Sequence, residues 1–353
     1  MNSTLNAPSR RSLLAAAGGA ALSGFLPLTA LRAAPDAVER TLVARPGRAA
    51  LVGAPQSDTE IWGYDGQVPG PEIRLRQGGR VRVRVENRLV EDTTVHWHGI
   101  RVPNAMDGAP FVTQAPIRPK ESFTYEFTVP DAGTYWYHPH AHSAEQVGRG
   151  LMGAFIVEEA EPMPVDRDLV WVLGDWRLEE DGSIAGGFAN RMEMSMAGRV
   201  GNTVTINGRV PASVSVRAGE RIRLRLINAA PARIFGLEFK AHRPLVVALD
   251  GQPIEPHPPQ AGRVVLGPAM RADLILDMTG HPGGSAPVID SFYKGLAYKL
   301  VDFSYIDAPP LRREPLPAPA KLPPNTMPEP DVATARRHEV TLTGGMMGGM
   351  GMM

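Results

Sequence analysis

There is no cysteine among the 353 residues. That excludes disulfides, thiolate metal ligands and cysteine nucleophiles from this chain. Neither sign of charge is in excess: 37 Lys and Arg balance 37 Asp and Glu. No basic field therefore points to nucleic acid, and no acidic tail to a solvating segment. A long apolar stretch with a 3.6-residue period is also missing beyond the first thirty or so residues, which argues against helical layers. Turn formers are plentiful instead, 37 Gly and 34 Pro, as expected of a β protein built from many short strands.

The first residues read as an address. Ser9-Arg10-Arg11-Ser12-Leu13-Leu14 sets a twin arginine before an Ala/Gly/Leu-rich stretch that runs to about Leu31. Gly18, Gly19, Gly24 and Pro27 make that stretch a poor permanent span. A twin-arginine export signal over residues 1–34 is expected, cleaved between Ala30 and Ala34. The expected location is the bacterial periplasm, with no permanent membrane anchor.

From Val38 onward the chain alternates short apolar runs with Gly, Pro, Asn and Asp. Arg80 to Val85 alternates strictly, which predicts a strand with valines inward and arginines outward. Thr124–Val129 and Leu151–Val157 are further strand candidates. The class is all-β, with sandwiches expected. An internal repeat sets the domain count. Ile73-x-Leu75-Arg76-Gln77-Gly78-Gly79-Arg80-Val81-Arg82-Val83-Arg84-Val85-Glu86-Asn87 recurs 141 residues later as Val214-x-Val216-Arg217-Ala218-Gly219-Glu220-Arg221-Ile222-Arg223-Leu224-Arg225-Leu226-Ile227-Asn228. Just upstream, Asp65-Gly66-Gln67-Val68-Pro69 is echoed by Asn207-Gly208-Arg209-Val210-Pro211. Two sandwiches of similar topology are expected, over 36–160 and 161–307. Residues 308–330 hold nine prolines, and 308–337 reads as a stiff, extended linker. Beyond it, His338 to Thr343 suggests one strand, followed by a Met/Gly-rich tail to Met353. One strand cannot bury a core, so the chain reads as cut off at the start of a third domain.

Five of the nine histidines lie in two short runs, Val95-His96-Trp97-His98-Gly99 and Tyr137-His138-Pro139-His140-Ala141-His142. Spaced i, i+2 on a strand, His96 and His98 leave one face together, with Trp97 opposite. His138 and His140 do the same, and Pro139 between them marks a strand end or edge. Two same-face imidazole pairs are what a copper, zinc or iron centre requires. The repeat supplies an internal control. Carried on without gaps, it sets His96-Trp97-His98 opposite Leu237-Glu238-Phe239, so the fold itself does not call for imidazoles there.

Several stretches carry a family resemblance: Thr94-Val95-His96-Trp97-His98-Gly99, Met106-Asp107-Gly108, Thr113-Gln114-Ala115-Pro116-Ile117, Gly133-Thr134-Tyr135-Trp136-Tyr137-His138-Pro139-His140, and Gly150 to Val157. Together they resemble the first cupredoxin-like, Greek-key domain of multicopper oxidases, and the second repeat resembles the family's middle domain. The resemblance implies one-electron oxidation of phenolic or cuprous substrates at a type 1 copper, with dioxygen reduced to water at a type 2/type 3 cluster. Carried over by position, it implies His96 as a type 2 ligand and His98, His138 and His140 as type 3 ligands, with His142 a further candidate. Asp107 becomes a candidate for orienting a ligand or delivering protons, beside its plainer reading as a turn residue before Gly108. No other catalytic residue is assigned. Tyr135 reads as a tyrosine corner. His242, His257, His281 and His338 stand alone and read as ordinary surface or turn residues. Met192, Met194 and Met196 in one loop, and five methionines after Thr343, are soft donors suited to cuprous ion.

The family's remaining ligands resemble HxxHxH and HCHxxxHxxxM motifs, and neither occurs here. Without a thiolate no blue copper site can form. The expectation is a truncated or split oxidase with half a cluster, inactive alone, either completed by a separate chain that carries the missing ligands or left incomplete by an interrupted reading frame. The alternative is a non-catalytic periplasmic copper-binding or copper-tolerance protein. A structural relative would have lost the histidines. A zinc hydrolase would need a carboxylate in a fixed motif. A two-domain laccase or nitrite reductase needs the absent cysteine.

Overall fold

The alternation of Arg80 to Val85 plays out in space: Val81, Val83 and Val85 are wholly buried while Arg80, Arg82 and Arg84 face solvent. The computed structural model describes residues 37–341 except 57, 189, 313, 315, 320, 328 and 329, and the side chain of Met194. The predicted export signal and the Met/Gly tail from residue 342 lie outside the described residues.

Eight strands build the first sandwich: β1 (Ala37–Ala49), β2 (Thr59–Tyr64), β3 (Gly70–Arg76), β4 (Arg80–Asn87), β5 (His96–His98), β6 (Ser122–Thr128), β7 (Gly133–His138) and β8 (Gly153–Glu158). One sheet runs β2-β1-β4-β6 and the other β3-β8-β7-β5. The six-residue helix α1 (Ser143–Gly148) follows β7. Trp97 is wholly buried between the sheets and meets Tyr125, Phe127, Tyr137 and Phe155 at ring-centroid distances of 5.2 to 5.9 Å. The apolar middle residue of the first histidine run is thus what seats that run on the core. Tyr135, also wholly buried, donates its hydroxyl to the Ala132 carbonyl at 3.3 Å, the local contact of a tyrosine corner.

Eleven strands build the second sandwich: β9 (Arg167–Trp176), β10 (Thr203–Ile206), β11 (Ser213–Val216), β12 (Arg221–Asn228), β13 (Phe235–Phe239), β14 (Leu245–Leu249), β15 (Gln252–His257), β16 (Val264–Leu266), β17 (Arg271–Asp277), β18 (Ser285–Asp290) and β19 (Tyr298–Tyr305). Its sheets run β10-β9-β12-β17-β14-β15 and β11-β19-β18-β13-β16. Without β14, β15 and β16 the strand orders repeat those of the first sandwich, β9 standing for β1 and β13 for β5. The registers agree. β5 lies on β7 with His96 opposite His138, and β13 lies on β18 with Leu237 opposite Asp290. Leu237-Glu238-Phe239 is therefore the spatial counterpart of the first histidine run.

The repeated arginines differ sharply in environment. Arg221, Arg223 and Arg225 on β12 are all buried, Arg223 and Arg225 at the seam between the sandwiches and Arg221 against Asp277 and the proline-rich segment. Arg223 bridges Glu159 and Asp273, and Arg225 bridges Asp168 and Asp273. Thr134 of β7 donates its hydroxyl to Asp273 at 2.6 Å and accepts from Arg225 at 3.0 Å.

The proline-rich segment is extended but docked. Arg312 pairs with Asp166, the Pro317 carbonyl accepts from Arg221, and Leu322 is buried with Val247, Ala248 and Ile275. The Asn325 side chain joins both sandwiches, accepting from the Ala132 amide and donating to the carbonyls of Ala132 and Gly251. Two expectations are corrected. Residues 338–341 are exposed and form no strand, with 342–343 outside the described residues. The Met192 region is a short helix, α2 (Arg191–Ser195), capped by the Asn190 side chain, and not a loop.

Candidate metal centre

β5 is only three residues long, and Gly99 and Ile100 set its end. Gly99 sits at φ +87, a conformation open to glycine, and the Ile100 amide turns back to the Trp97 carbonyl. β7 is buried along its whole length and ends at His138, where Pro139 removes a donor. The His140 amide donates to the buried Thr94 hydroxyl at 3.1 Å, tying the second run to the start of the first.

These constraints bring four imidazoles together. Ring centroids of His96 lie 5.5 Å from His98, 5.5 Å from His138 and 4.3 Å from His140. One ring nitrogen each of His96, His138 and His140 falls within 4.8 Å of the others, close enough to share one ion. His138 is buried, His96 and His98 are half-buried and His140 is exposed. Trp136 stacks on His138 at 4.0 Å, with 24° between planes, and lies 5.3 Å from His98.

Hydrogen bonding settles the tautomers, because a carbonyl can only accept. His96 Nδ1 faces the Asp107 carbonyl at 2.8 Å and His138 Nδ1 faces the Pro139 carbonyl at 3.1 Å. Both Nδ1 atoms therefore carry a proton, and His138, held neutral by burial, offers its Nε2 as an acceptor. His98 Nδ1 lies 3.2 Å from His138 Nε2 and donates to it, which bares His98 Nε2. Burial, then the charge of Arg271, pushes His98 down to about 3. Burial and the neighbouring imidazoles hold His138 well below its ordinary value, and burial with His96 lowers His140. Imidazoles held neutral in this way, His98, His138 and His140, suit metal donation better than general acid catalysis.

Asp107 does reach His96, chiefly through its backbone. The carboxylate oxygen is 3.3 Å from His96 Nδ1, beyond the carbonyl. The Asp107-Gly108 turn serves the same contact, since a Cβ at Gly108 would lie 1.9 Å from the Val95 carbonyl oxygen. His142 stays outside the group: it is exposed, left-handed at φ 46, and stands at the N-cap position of α1 without a side-chain cap bond. His257, His281 and His338 are exposed. His242 departs from the surface reading, since it is buried, shares a 2.6 Å hydrogen bond with the Tyr305 hydroxyl, and reaches the Lys240 carbonyl. Met192 and Met196 are exposed. Sequence reasoning missed Trp136, whose place after Tyr135 in the same strand already put it on the imidazole face. It also missed Arg271 and a cleft of about 390 Å³ that leads from His98, His138 and His140 to Glu193 and Arg199. No local pattern marks these, because both sandwiches contribute to them.

Fold and site together define tandem cupredoxin-like sandwiches, the first carrying a histidine cluster that could hold a metal ion. Residues 49–162 and 167–284 each match a sequence family described as multicopper oxidase. Copper resistance protein A of Escherichia coli is 33% identical over 270 residues, covering 64% of this chain and 44% of that protein. Multicopper oxidase MmcO of Mycobacterium tuberculosis is 33% identical over 273 residues, covering 69% and 52%. The crystal structure of a multi-copper oxidase from Pseudomonas thermotolerans superposes with a TM-score of 0.78 at 38% identity, over 86% of this chain and 71% of that one. The chain belongs to the multicopper oxidase family, and copper is the family's cofactor. It spans about half the length of the two curated relatives.

Proposed function

We propose that these residues form the copper-binding part of an oxidase that couples one-electron oxidation of a phenolic or cuprous substrate to the reduction of dioxygen to water. His96 is proposed as a type 2 ligand, and His98, His138 and His140 as type 3 ligands. The observation that carries this reading is the convergence of one ring nitrogen each of His96, His138 and His140 within 4.8 Å, with Nδ1 of His96 and of His138 each held by a backbone carbonyl. Imidazole suits copper, and copper heads the divalent affinity order. Bound copper would supply the one-electron chemistry. The chain's own residues orient the lone pairs, through the carbonyls of Asp107 and Pro139, and wall one side with Trp136.

The 353 residues contain no cysteine, so they cannot by themselves build a type 1 site. The remaining ligands and the site of electron entry are proposed to come from polypeptide outside them, and the chain alone to be inactive. Arg10-Arg11 and the apolar run after it support export to the periplasm by the twin-arginine route. A second reading, copper capture without catalysis, is favoured by the exposed thioethers of Met192 and Met196, which are soft donors.

Metal analysis after copper loading, with oxygen uptake on a phenol, tests these readings. Copper should be retained by the wild-type chain and lost in H96A and H138A, with no sustained oxygen uptake. Failure to take up copper would remove the copper-site reading. Robust oxygen-coupled phenol oxidation would remove the reading of an incomplete site.

A further inference from the structure

Arg271 opens β17 in the second sandwich, yet its guanidinium is aimed at the first. It is buried, at 4% exposure. Its Nε donates to the Thr134 carbonyl on β7 at 3.2 Å, Nη1 to the Ala269 carbonyl at 3.1 Å and Nη2 to the Asp250 carbonyl at 3.0 Å. Asp250 supplies the countercharge at 3.2 Å.

The contact with Thr134 has a particular meaning in the ladder. With His96 opposite His138 and His98 opposite Trp136, continuing β5 would bring residue 100 opposite Thr134. Instead the chain turns away at Gly99. A buried carbonyl left without a donor costs free energy, and Arg271 supplies the missing donor. The fit is close. A Cβ at Gly99 would lie 2.2 Å from Arg271 Nη2, so residue 99 must be glycine for its dihedral and also for this neighbour. The guanidinium is therefore packed against the residue next to His98, and burial of so well-bonded a group leaves it little freedom.

We propose that Arg271 is a positioning residue for the metal centre: its guanidinium, held out by the second sandwich, closes the end of β5 and fixes where His98 points. This rests on the copper reading for its use but not for its geometry. The second sandwich contributes no imidazole to the group, so Arg271 gives it a direct hold on the metal-bearing strand.

The test uses the full chain as wild type, R271M and R271K, with exposed Arg84→Met as control. In the metal-free protein, nitrogen NMR of the histidine rings reads the geometry without copper. His98 signals should move in R271M, with partial return in R271K, while R84M leaves them in place. A folded R271M with unmoved His98 signals would overturn the proposal. If R271M does not fold, R271K carries the comparison alone, and unmoved His98 signals there would also overturn it. With copper, loss of a ligand-orienting partner should weaken cupric affinity ~10- to 100-fold, and the cupric EPR spectrum should change. A purely structural role would lower the melting temperature and leave the EPR spectrum of the folded protein unchanged. If wild type binds no copper, the copper reading fails, while the NMR result still decides the proposal.

Discussion

His138 is constrained from three directions: Trp136 stacks on its ring, the Pro139 carbonyl accepts from its Nδ1–H and His98 donates to its Nε2. Trp136 should therefore report on the centre. Cupric ion added to the chain is expected to quench tryptophan fluorescence. W136F should lose most of that quenching, whereas W171F, in the other sandwich, should keep it. Asp273 makes a second residue-scale prediction. Burial alone would push its carboxyl up, but Arg223 and Arg225 outweigh burial and hold it below its usual value. A group whose folded pKa is depressed contributes stability above its unfolded pKa, near 4, and that contribution is lost as pH falls through the folded value. Denaturant midpoints should fall as the solution is acidified below about pH 4. D273N should flatten that limb and cost about 3–5 kcal/mol at neutral pH, because it leaves buried guanidinium groups short of a partner.

At the scale of elements, β4 and β12 contrast most. They share one alternating pattern, and the apolar positions of both fill cores. The arginines of β4 meet water and surface carboxylates, whereas Arg223 and Arg225 of β12 meet buried carboxylates of the seam. R82M should change stability by no more than about 0.5 kcal/mol, while R223M should cost about 3–5 kcal/mol by stranding Glu159 and Asp273. Chemical denaturation distinguishes the two. The docked proline-rich segment is an element in its own right. L322A should cost about 2–5 kcal/mol for a buried leucine, and limited proteolysis should then cut earlier between residues 310 and 330. Its extended form was legible in nine prolines, but its docking was not, because Leu322 and Asn325 find partners only across the chain.

For the whole molecule, the seam makes the two sandwiches depend on each other. Thr134, Asp273, Arg225 and Arg223 join them through buried charged hydrogen bonds, and Asn325 bridges them again. Calorimetry should show one unfolding transition for the wild type. T134V combined with D273N should separate it into two, since each sandwich keeps its own core.

Strand pattern and repeat were enough to give the all-β class, the strict alternation of Arg80 to Val85 and the pairing of His96 with His98 on one face, because these depend on a two-residue period acting locally. The absence of cysteine likewise excluded thiolate chemistry without any coordinates. The meeting of the two histidine runs, the choice of the Asp107 carbonyl over its carboxylate, and the separation of His142 from the group depended on register and on a single left-handed residue. The burial of Arg221, Arg223 and Arg225 and the approach of Arg271 to Gly99 were decided only by tertiary structure. Identical local patterns face water in one copy and a second sandwich in the other, and only the packing of whole sheets sets which.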